Sequence, residues 1–387
     1  MRLLHTSDWH LGRSFHREDL LGAQARFVDF LVETVRSERV DAVLVSGDVY
    51  DRALPSVDAV ALCNDALRRL AATGTRVVII SGNHDSARRL GFGADLIDAA
   101  GIHLRTDPAA LDTPVLLPAP GRAGSDVAVY AVPYLEPDAV GTELGCAERS
   151  HQAVVDAAMS RVRADLSSRP GCRSVVLAHA FVTGGEASDS ERDISVGGVS
   201  SVAASSFAGV DYTALGHLHG AQAPAPAVRY SGSPVAYSFS EALHRKGVLL
   251  VELADAPGGA ARVDLLPAPV ARPLARVSGR LDDLLTGERW SGLTDHYLQV
   301  TLTDPVRPRE PMERLRSRFP HVLVLGFEPE GAGAADSRPY AARLEGRSDL
   351  EVAGDFVAHV RGSALDAAES ALLAEAFAAA RLAEAGR

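Results

Sequence analysis

Five short segments of this chain set carboxylates, imidazoles and an amide at spacings suited to holding cations. They are Asp8-Trp9-His10, Gly47-Asp48 with Asp51, Gly82-Asn83-His84-Asp85, His179, and Gly216-His217-Leu218-His219. Each follows a run that reads as a strand, so the side chains should converge at the carboxyl ends of strands in an α/β sheet, where such sites are commonly built. Asp8 and His10, like His217 and His219, stand two apart, and an extended backbone would aim both members of each pair to one side. The donors are two carboxylates (Asp8, Asp48), four imidazoles (His10, His179, His217, His219) and the Asn83 amide, enough for two ions if Asp48 bridges them. Mixed nitrogen and oxygen donors suit manganese, iron or zinc and disfavour calcium. Two divalent ions set against two carboxylates and a hydroxide leave a charge of about +1, which favours an anionic phosphodiester. Water acidified between the ions would attack it, and the leaving alkoxide would then need a proton. His84, directly after Asn83, is the candidate general acid, with Asp51 or Asp85 placed to orient its ring.

Taken singly these motifs are weak. A lone Asp-x-His or His-x-His is more often a surface or satisfied core pair, and Gly-Asn-His-Asp after the apolar run 77–80 also fits a plain strand-to-turn signal. All five together, in this order, point to a metal centre. His5, His16, His103, His151, His244, His296, His321 and His359 have no such partners and are assigned nothing, and Trp9 reads as a packing residue.

To bring the five together the chain needs a layered α/β domain. Strands are expected at residues 3–6, 42–46, 76–81, 127–132, 174–178 and 212–215, with helices at 24–38 and 56–72 between the first three. Two Gly- or Ser-rich segments, 183–201 and 221–227, read as loops, and loops of that length carry function or mobility. Strands at 228–231, 247–252 and 262–266 would close the domain before the Pro-rich stretch 267–273. Beyond it come strands at 274–277, 297–302 and 321–325 and a helix at 311–318, forming a small second domain. Two helices at 350–360 and 364–382 complete the chain, with apolar stripes through Val352, Phe356 and Val360 and through Leu365, Ala368, Leu372 and Ala376. The expected division is 1–270, 271–330, a linker at 331–344, and a helical region at 345–387.

A chain of 387 residues suggests two or three such domains. Its 47% hydrophobic and 5% aromatic content and mean hydropathy of +0.03 describe a globular protein. No apolar run approaches the ~18–20 residues of a membrane span. Residues 1–10 lack the pattern of a signal peptide, and the three scattered cysteines fit a reducing compartment. A cytoplasmic location is therefore expected, with nucleoid association when DNA is bound. The net charge of −11 resists a nucleic-acid reading. Bound cations and local arginines act at shorter range than the total charge, however, so the objection is partial. Lys246 is the single lysine among 39 basic residues. Arginines 307, 309, 314, 316 and 318 form a patch that could meet phosphate or serve as a solvated helix face.

The ordered set D-x-H, G-D-x-x-D, G-N-H-D, H and G-H-x-H resembles the calcineurin-like metallophosphoesterase superfamily. Residues 1–12, 188–197, 211–219 and 228–241 look more narrowly like the bacterial SbcD nuclease-subunit family, and the likeness covers most of residues 1–270. That resemblance implies an α/β fold: a four-layer β-sandwich flanked by helices, a small α+β capping domain near 271–330 that steers DNA, and carboxyl-terminal helices. Asp8, His10, Asp48 and His219 would hold one ion and Asp48, Asn83, His179 and His217 the other, usually Mn2+. Relatives act as 3′-to-5′ exonucleases on double-stranded DNA and as endonucleases on single strands and hairpins. They do so in a heterotetramer with the SMC-like ATPase SbcC, with two copies of each subunit and the nuclease domain pairing as a homodimer. The segment Gly47-Asp48-Val49-Tyr50-Asp51-Arg52 also approaches the phosphoprotein-phosphatase pattern, but Ala53 replaces its glycine, so Arg52 reads as a loop residue. A phosphatase or cyclic-nucleotide phosphodiesterase using the same metals is the alternative enzyme. A metal-free scaffold is disfavoured because all seven ligand positions are filled by competent residues.

Overall fold

Successive residues of the central strands go to opposite faces, and both faces are buried. Leu44 and Ala42 face one core while Val43 and Val45 face another; Val127 and Val129 alternate in the same way with Ala128 and Tyr130. Strands apolar on both faces belong in the middle of a layered structure, and that is where they lie in the computed structural model of the chain. The structure describes residues 1–118, 126–195, 201–330, 347–361 and 363–385. It divides into two units, Met1–Pro273 and Leu274–Arg387.

The first unit holds two six-stranded sheets. In one, Arg2–Thr6, Ala42–Ser46, Arg76–Ile80 and Ile102–Leu104 run parallel, with Gly247–Glu252 and Arg262–Pro267 added antiparallel beside Arg2–Thr6. In the other, Val127–Val132, Arg173–His179, Tyr212–Gly216 and Val228–Tyr230 are parallel neighbours, edged by Val115–Leu117 and Gln222–Ala225. The sheets bury Leu3, Leu44, Ile80, Val129, Leu177 and Tyr212 between them. Their outer faces are covered by helices, because parallel neighbours need a long crossover. Leu21–Ser37 and Val57–Ala71 pack on the first sheet and His151–Ser167 on the second. The result is a four-layer α/β sandwich.

Several features differ from the sequence expectation. Helix His151–Ser167 was not foreseen: it buries Val154, Val155, Ala158, Met159 and Val162 at helical spacing, but the Ala, Asp and Arg residues between them dilute the apolar stripe. Its start is capped by Ser150, whose hydroxyl accepts the Ala153 amide at 3.2 Å. The expected loop 221–227 contains the strand Gln222–Ala225, which lies at a sheet edge with a register shift, the place where its proline is tolerated. The short edge strands Ile102–Leu104 and Val115–Leu117 also went unread.

In the second unit a parallel three-stranded sheet, Leu274–Gly279, Tyr297–Leu302 and Val322–Phe327, packs with helices Leu281–Thr286 and Pro311–Arg318 around Leu284, Leu298, Val300, Leu315 and Phe319. The arginine patch is partly consumed there. Arg318 donates to the carbonyls of Leu284 and Gly287, Arg316 to that of Val322, and Arg314 pairs with Asp282. Arg307 stacks over Phe327 at 5.8 Å. Helices Asp349–Arg361 and Ala367–Ala385 follow, with Phe356, Val360 and Leu372 exposed. The linker expected at 331–344 lies outside the described residues. Among the described residues no helix is long and apolar enough to cross a membrane.

The inter-sheet core should respond sharply to loss of volume. Leu44→Ala, at a position with 0% exposure, is expected to lower unfolding free energy by about 2–5 kcal/mol. Leu116→Ala, at 47% exposure, should cost well under half of that. Urea midpoints of the two variants check the contrast.

Candidate metal centre

Asp8 and His10 leave the Arg2–Thr6 strand, Asp48 and Asp51 leave Ala42–Ser46, and Asn83 and His84 leave Arg76–Ile80. From the second sheet, His179 ends Arg173–His179, and His217 and His219 follow Tyr212–Gly216. The two sheets therefore deliver their donors to one edge of the sandwich. The backbone is not extended there as expected. Asp8 (φ 53°), His10 (φ 43°), Asp48 (φ 49°) and His217 (φ 109°) all adopt left-handed conformations, a strain that persists only where the surroundings impose it. Two glycines make the approach possible. Gly47 (φ +91°) lies so near Gly82 that a Cβ on it would come within 2.9 Å of the Gly82 backbone, and a Cβ on Gly216 would fall on the Ser46 carbonyl oxygen.

The donors meet in a buried volume. Asp8, His10, Asp48, His179, His217 and His219 are each at most 5% exposed. His10 Nε2 lies 3.1 Å from His219 Nε2 and 3.7 Å from Asp48 Oδ2. His179 Nε2 lies 2.9 Å from Asn83 Oδ1 and 3.5 Å from Asp48 Oδ2, and His217 Nδ1 is 3.2 Å from the same Asn83 oxygen. Donor atoms of Asp8, His10 and His219, of His10, Asp48 and His84, and of Asp8, Asp48 and His179 fall in sets whose members lie within 4.8 Å of one another. All seven expected ligand positions are thus brought together with His84.

The chemistry of this set fits divalent cations. His179 Nδ1 lies 2.8 Å from the Ser46 carbonyl, an acceptor only, so its proton sits on Nδ1 and Nε2 presents a lone pair to the Asn83 and Asp48 oxygens. Such a focus of electron pairs must hold something positive, a second proton on the ring or a cation. Burial opposes the proton, yet Asp48 and Asp8 outweigh it and push His179 up to about 9. Burial holds His10 and His217 well below the usual imidazole range, His217 at about 3, and raises Asp8 to about 6. Asp48 is depressed despite its burial, by His179, His10 and His84. The buried Nδ1 of His10 and Nδ2 of Asn83 have no hydrogen-bond partner. Two imidazole nitrogens 3.1 Å apart match two ligands on one ion, since metal–nitrogen bonds of ~2.1 Å at right angles give ~3.0 Å.

Other contacts hold the constellation. His84 donates its backbone amide to Asp48 Oδ1 at 2.8 Å. Its Nδ1–H donates to the Asp51 backbone carbonyl at 2.7 Å, so Asp51 orients the ring through its main chain rather than its carboxylate. That carboxylate instead faces Arg13 Nε at 3.6 Å, Arg52 Nε at 3.5 Å and His10 Nδ1 at 4.0 Å. Asp85, the other candidate orienter, accepts the backbone amides of Gly82, Val49 and Tyr50 at 2.9–3.1 Å and so ties two ligand loops together. Trp9 is a packing residue as expected, fully buried with its indole N–H on Thr6 and its ring against Phe27. His5 is a satisfied core histidine between the Tyr212 hydroxyl and the Leu215 carbonyl.

Sequence reasoning missed the residues around His219. Glu191 Oε1 accepts its amide at 2.8 Å, Lys246 Nζ donates to its carbonyl at 2.8 Å, and Ser190 Oγ meets its Nδ1 at 2.6 Å. Glu241 bonds both Ser190 and Lys246; burial would raise its carboxyl, but His219 and the Lys246 ammonium hold it well below the carboxylate range. The signal was present in part, since a lone lysine in a chain that otherwise uses arginine stands out. No spacing rule linked it to the histidines.

Residues 1–132 match the family model for calcineurin-like phosphoesterase, and residues 270–361 match SbcD_C, the type 5 capsule protein repressor C-terminal domain. The crystal structure of TT1561 of Thermus thermophilus is similar over 68% of this chain and 98% of that one, at 13% identity and a TM-score of 0.39.

Asp85→Ala would leave three backbone amides without their acceptor, and each such group costs about 1–3 kcal/mol when buried. The expected result is a lower urea midpoint together with faster amide hydrogen exchange at Val49, Tyr50 and Gly82. Unchanged exchange at those three amides would contradict the tie.

Proposed function

From a chain that opens with a calcineurin-like phosphoesterase domain and carries an SbcD-type carboxyl-terminal domain, and so is a phosphoester hydrolase, we infer a metal-dependent DNA nuclease. It would serve in DNA repair, recombination and replication as the nuclease subunit of an SbcCD-like complex. One observation carries this reading: seven donors from two sheets meet at one largely buried focus in the Met1–Pro273 unit. Asp8, His10, Asp48 and His219 would hold one divalent ion and Asp48, Asn83, His179 and His217 the other, with Mn2+ the expected metal. When bound, such a pair supplies the charge that draws in a phosphodiester and acidifies water for attack.

His84 would act on the leaving group. With Nδ1–H held by the Asp51 carbonyl, Nε2 is the ring atom left facing the centre, 4.0 Å from Asp48 Oδ2. To hand a proton to the departing alkoxide that nitrogen must first take one up, making the ring an imidazolium, a form that burial disfavours and that Asp48 and the Asp51 carbonyl favour. Arg52 is exposed beside Asp51, and Arg192, also exposed, donates to the Asn83 carbonyl at 3.3 Å. Both bring positive charge to the mouth, where a net-acidic chain needs it. The exposed Phe356, Val360 and Leu372 would offer an apolar surface to the SbcC ATPase.

The test is digestion of end-labelled linear duplex and hairpin DNA with added manganese, with and without the ATPase partner. Shortening from 3′ ends and opening of hairpins are expected; hydrolysis of small or protein phosphoesters alone would favour the phosphatase reading. In this assay His84→Ala is expected to retain bound manganese and DNA while turnover falls ~10²–10⁴-fold. Deletion of residues 345–387 should abolish co-purification with the ATPase and spare manganese-dependent cleavage.

A further inference from the structure

Outside the seven donors, a set of buried polar groups surrounds His219. Glu241 is 1% exposed, Lys246 8% and Ser190 9%. The ammonium of Lys246 has three hydrogens and finds three acceptors: Glu241 Oε2, the His219 carbonyl at 2.8 Å and Ser233 Oγ at 2.9 Å. Glu241 Oε1 in turn contacts Ser190 Oγ, which lies 2.6 Å from His219 Nδ1.

The polarity of this chain of contacts follows from what each atom can do. A carboxylate only accepts, so the Ser190 hydroxyl proton points to Glu241. Having spent its proton, Ser190 Oγ can only accept from His219, which places the ring proton on Nδ1 and the lone pair on Nε2. That is the nitrogen 3.1 Å from His10 Nε2, in the set formed with Asp8. We propose that Glu241, balanced by the chain's single lysine, acts through Ser190 as a positioning residue that fixes His219 in its metal-binding tautomer. The proposal rests on the metal reading given above and assigns the relay to one half of the centre, that of Asp8, His10 and His219. His179 has its own orienter in the Ser46 carbonyl and does not use the relay.

Glu241→Gln is the informative change. Lys246 would claim the amide oxygen, turning the NH2 toward Ser190 and reversing the polarity at unchanged shape. Ser190→Ala removes the link with the loss of one hydroxyl. Manganese is titrated by calorimetry into the metal-stripped full-length chain, its two variants and the double variant, and thermal unfolding is followed in chelator. The wild-type chain is expected to take up two ions. Each single variant should weaken one of them ~10–100-fold, the range for orienting partners of metal-bound histidines, and leave the other unchanged; the unfolding midpoint in chelator should hold for Ser190→Ala and fall for Glu241→Gln, which leaves the buried Lys246 ammonium without its counter-charge. The double variant should lose no more than a single one, because both cut the same relay. Wild-type affinity at both ions in either variant, equal weakening of both ions, or additive losses would overturn the relay. If Glu241→Gln does not fold, Ser190→Ala decides alone. A wild-type chain that binds no manganese overturns the metal reading itself and the relay with it.

Discussion

The first unit answers to one constraint: electron-pair donors are pressed together out of water. Asp48 sits at the middle, within 4.0 Å of imidazole nitrogens of His10, His84 and His179. A buried charge deprived of its partners costs about 3–5 kcal/mol, so the donors cannot be left to find their places after folding. The fold imposes them. Two sheets packed face to face supply the positions, left-handed residues at Asp8, His10, Asp48 and His217 turn the chain sharply, and Gly47 and Gly216 permit backbone contact no side chain would allow. Asp85 then locks the loops after two neighbouring strands to each other.

How much of this is legible in the sequence depends on whether a local rule exists. The central strands could be read because both their faces are apolar, and helix Pro311–Arg318 because its proline marks the first turn. The donors could be read because each ends a strand. Helix His151–Ser167 could not, because its buried positions are small residues among charged ones. The extended geometry assumed for Asp8 and His10 failed for a different reason: tertiary packing, not local preference, selects a positive φ at an aspartate and a histidine. Asp51 shows a third limit. Its position beside His84 is legible, but whether it acts by carboxylate or by carbonyl is decided by the turn between Asp48 and Asp51. Glu241 and Lys246 come from a segment far along the chain from the histidine they serve, so no spacing pattern reports them.

The charge balance makes sense on the same terms. A net charge of −11 opposes a polyanion at long range, yet exposed charges more than about 8–10 Å apart are largely screened at physiological salt. What a phosphate meets is set by the mouth of the centre, where Arg13, Arg52 and Arg192 lie near Asp51 and Asn83. In the second unit, by contrast, the guanidiniums of Arg316 and Arg318 are spent on backbone carbonyls. An arginine-rich stretch in a sequence therefore measures available charge poorly, since the fork of donors that suits phosphate equally suits a helix or strand end.

The two halves of the centre are supported in unlike ways. His179 is oriented by the Ser46 carbonyl, at the end of a central strand, and shares the rigidity of the sandwich. His219 is oriented by Ser190 and Glu191, which belong to a connection between strands, and through Ser190 by Glu241. That connection is itself pinned, by Arg13 on the Ser190 carbonyl and His151 on the Ile194 carbonyl. Connections open at lower free energy than the strands they join. A disturbance of the surface near residues 186–195 would therefore reach the Asp8, His10 and His219 half before the half built on Ser46, and the centre would weaken from one side.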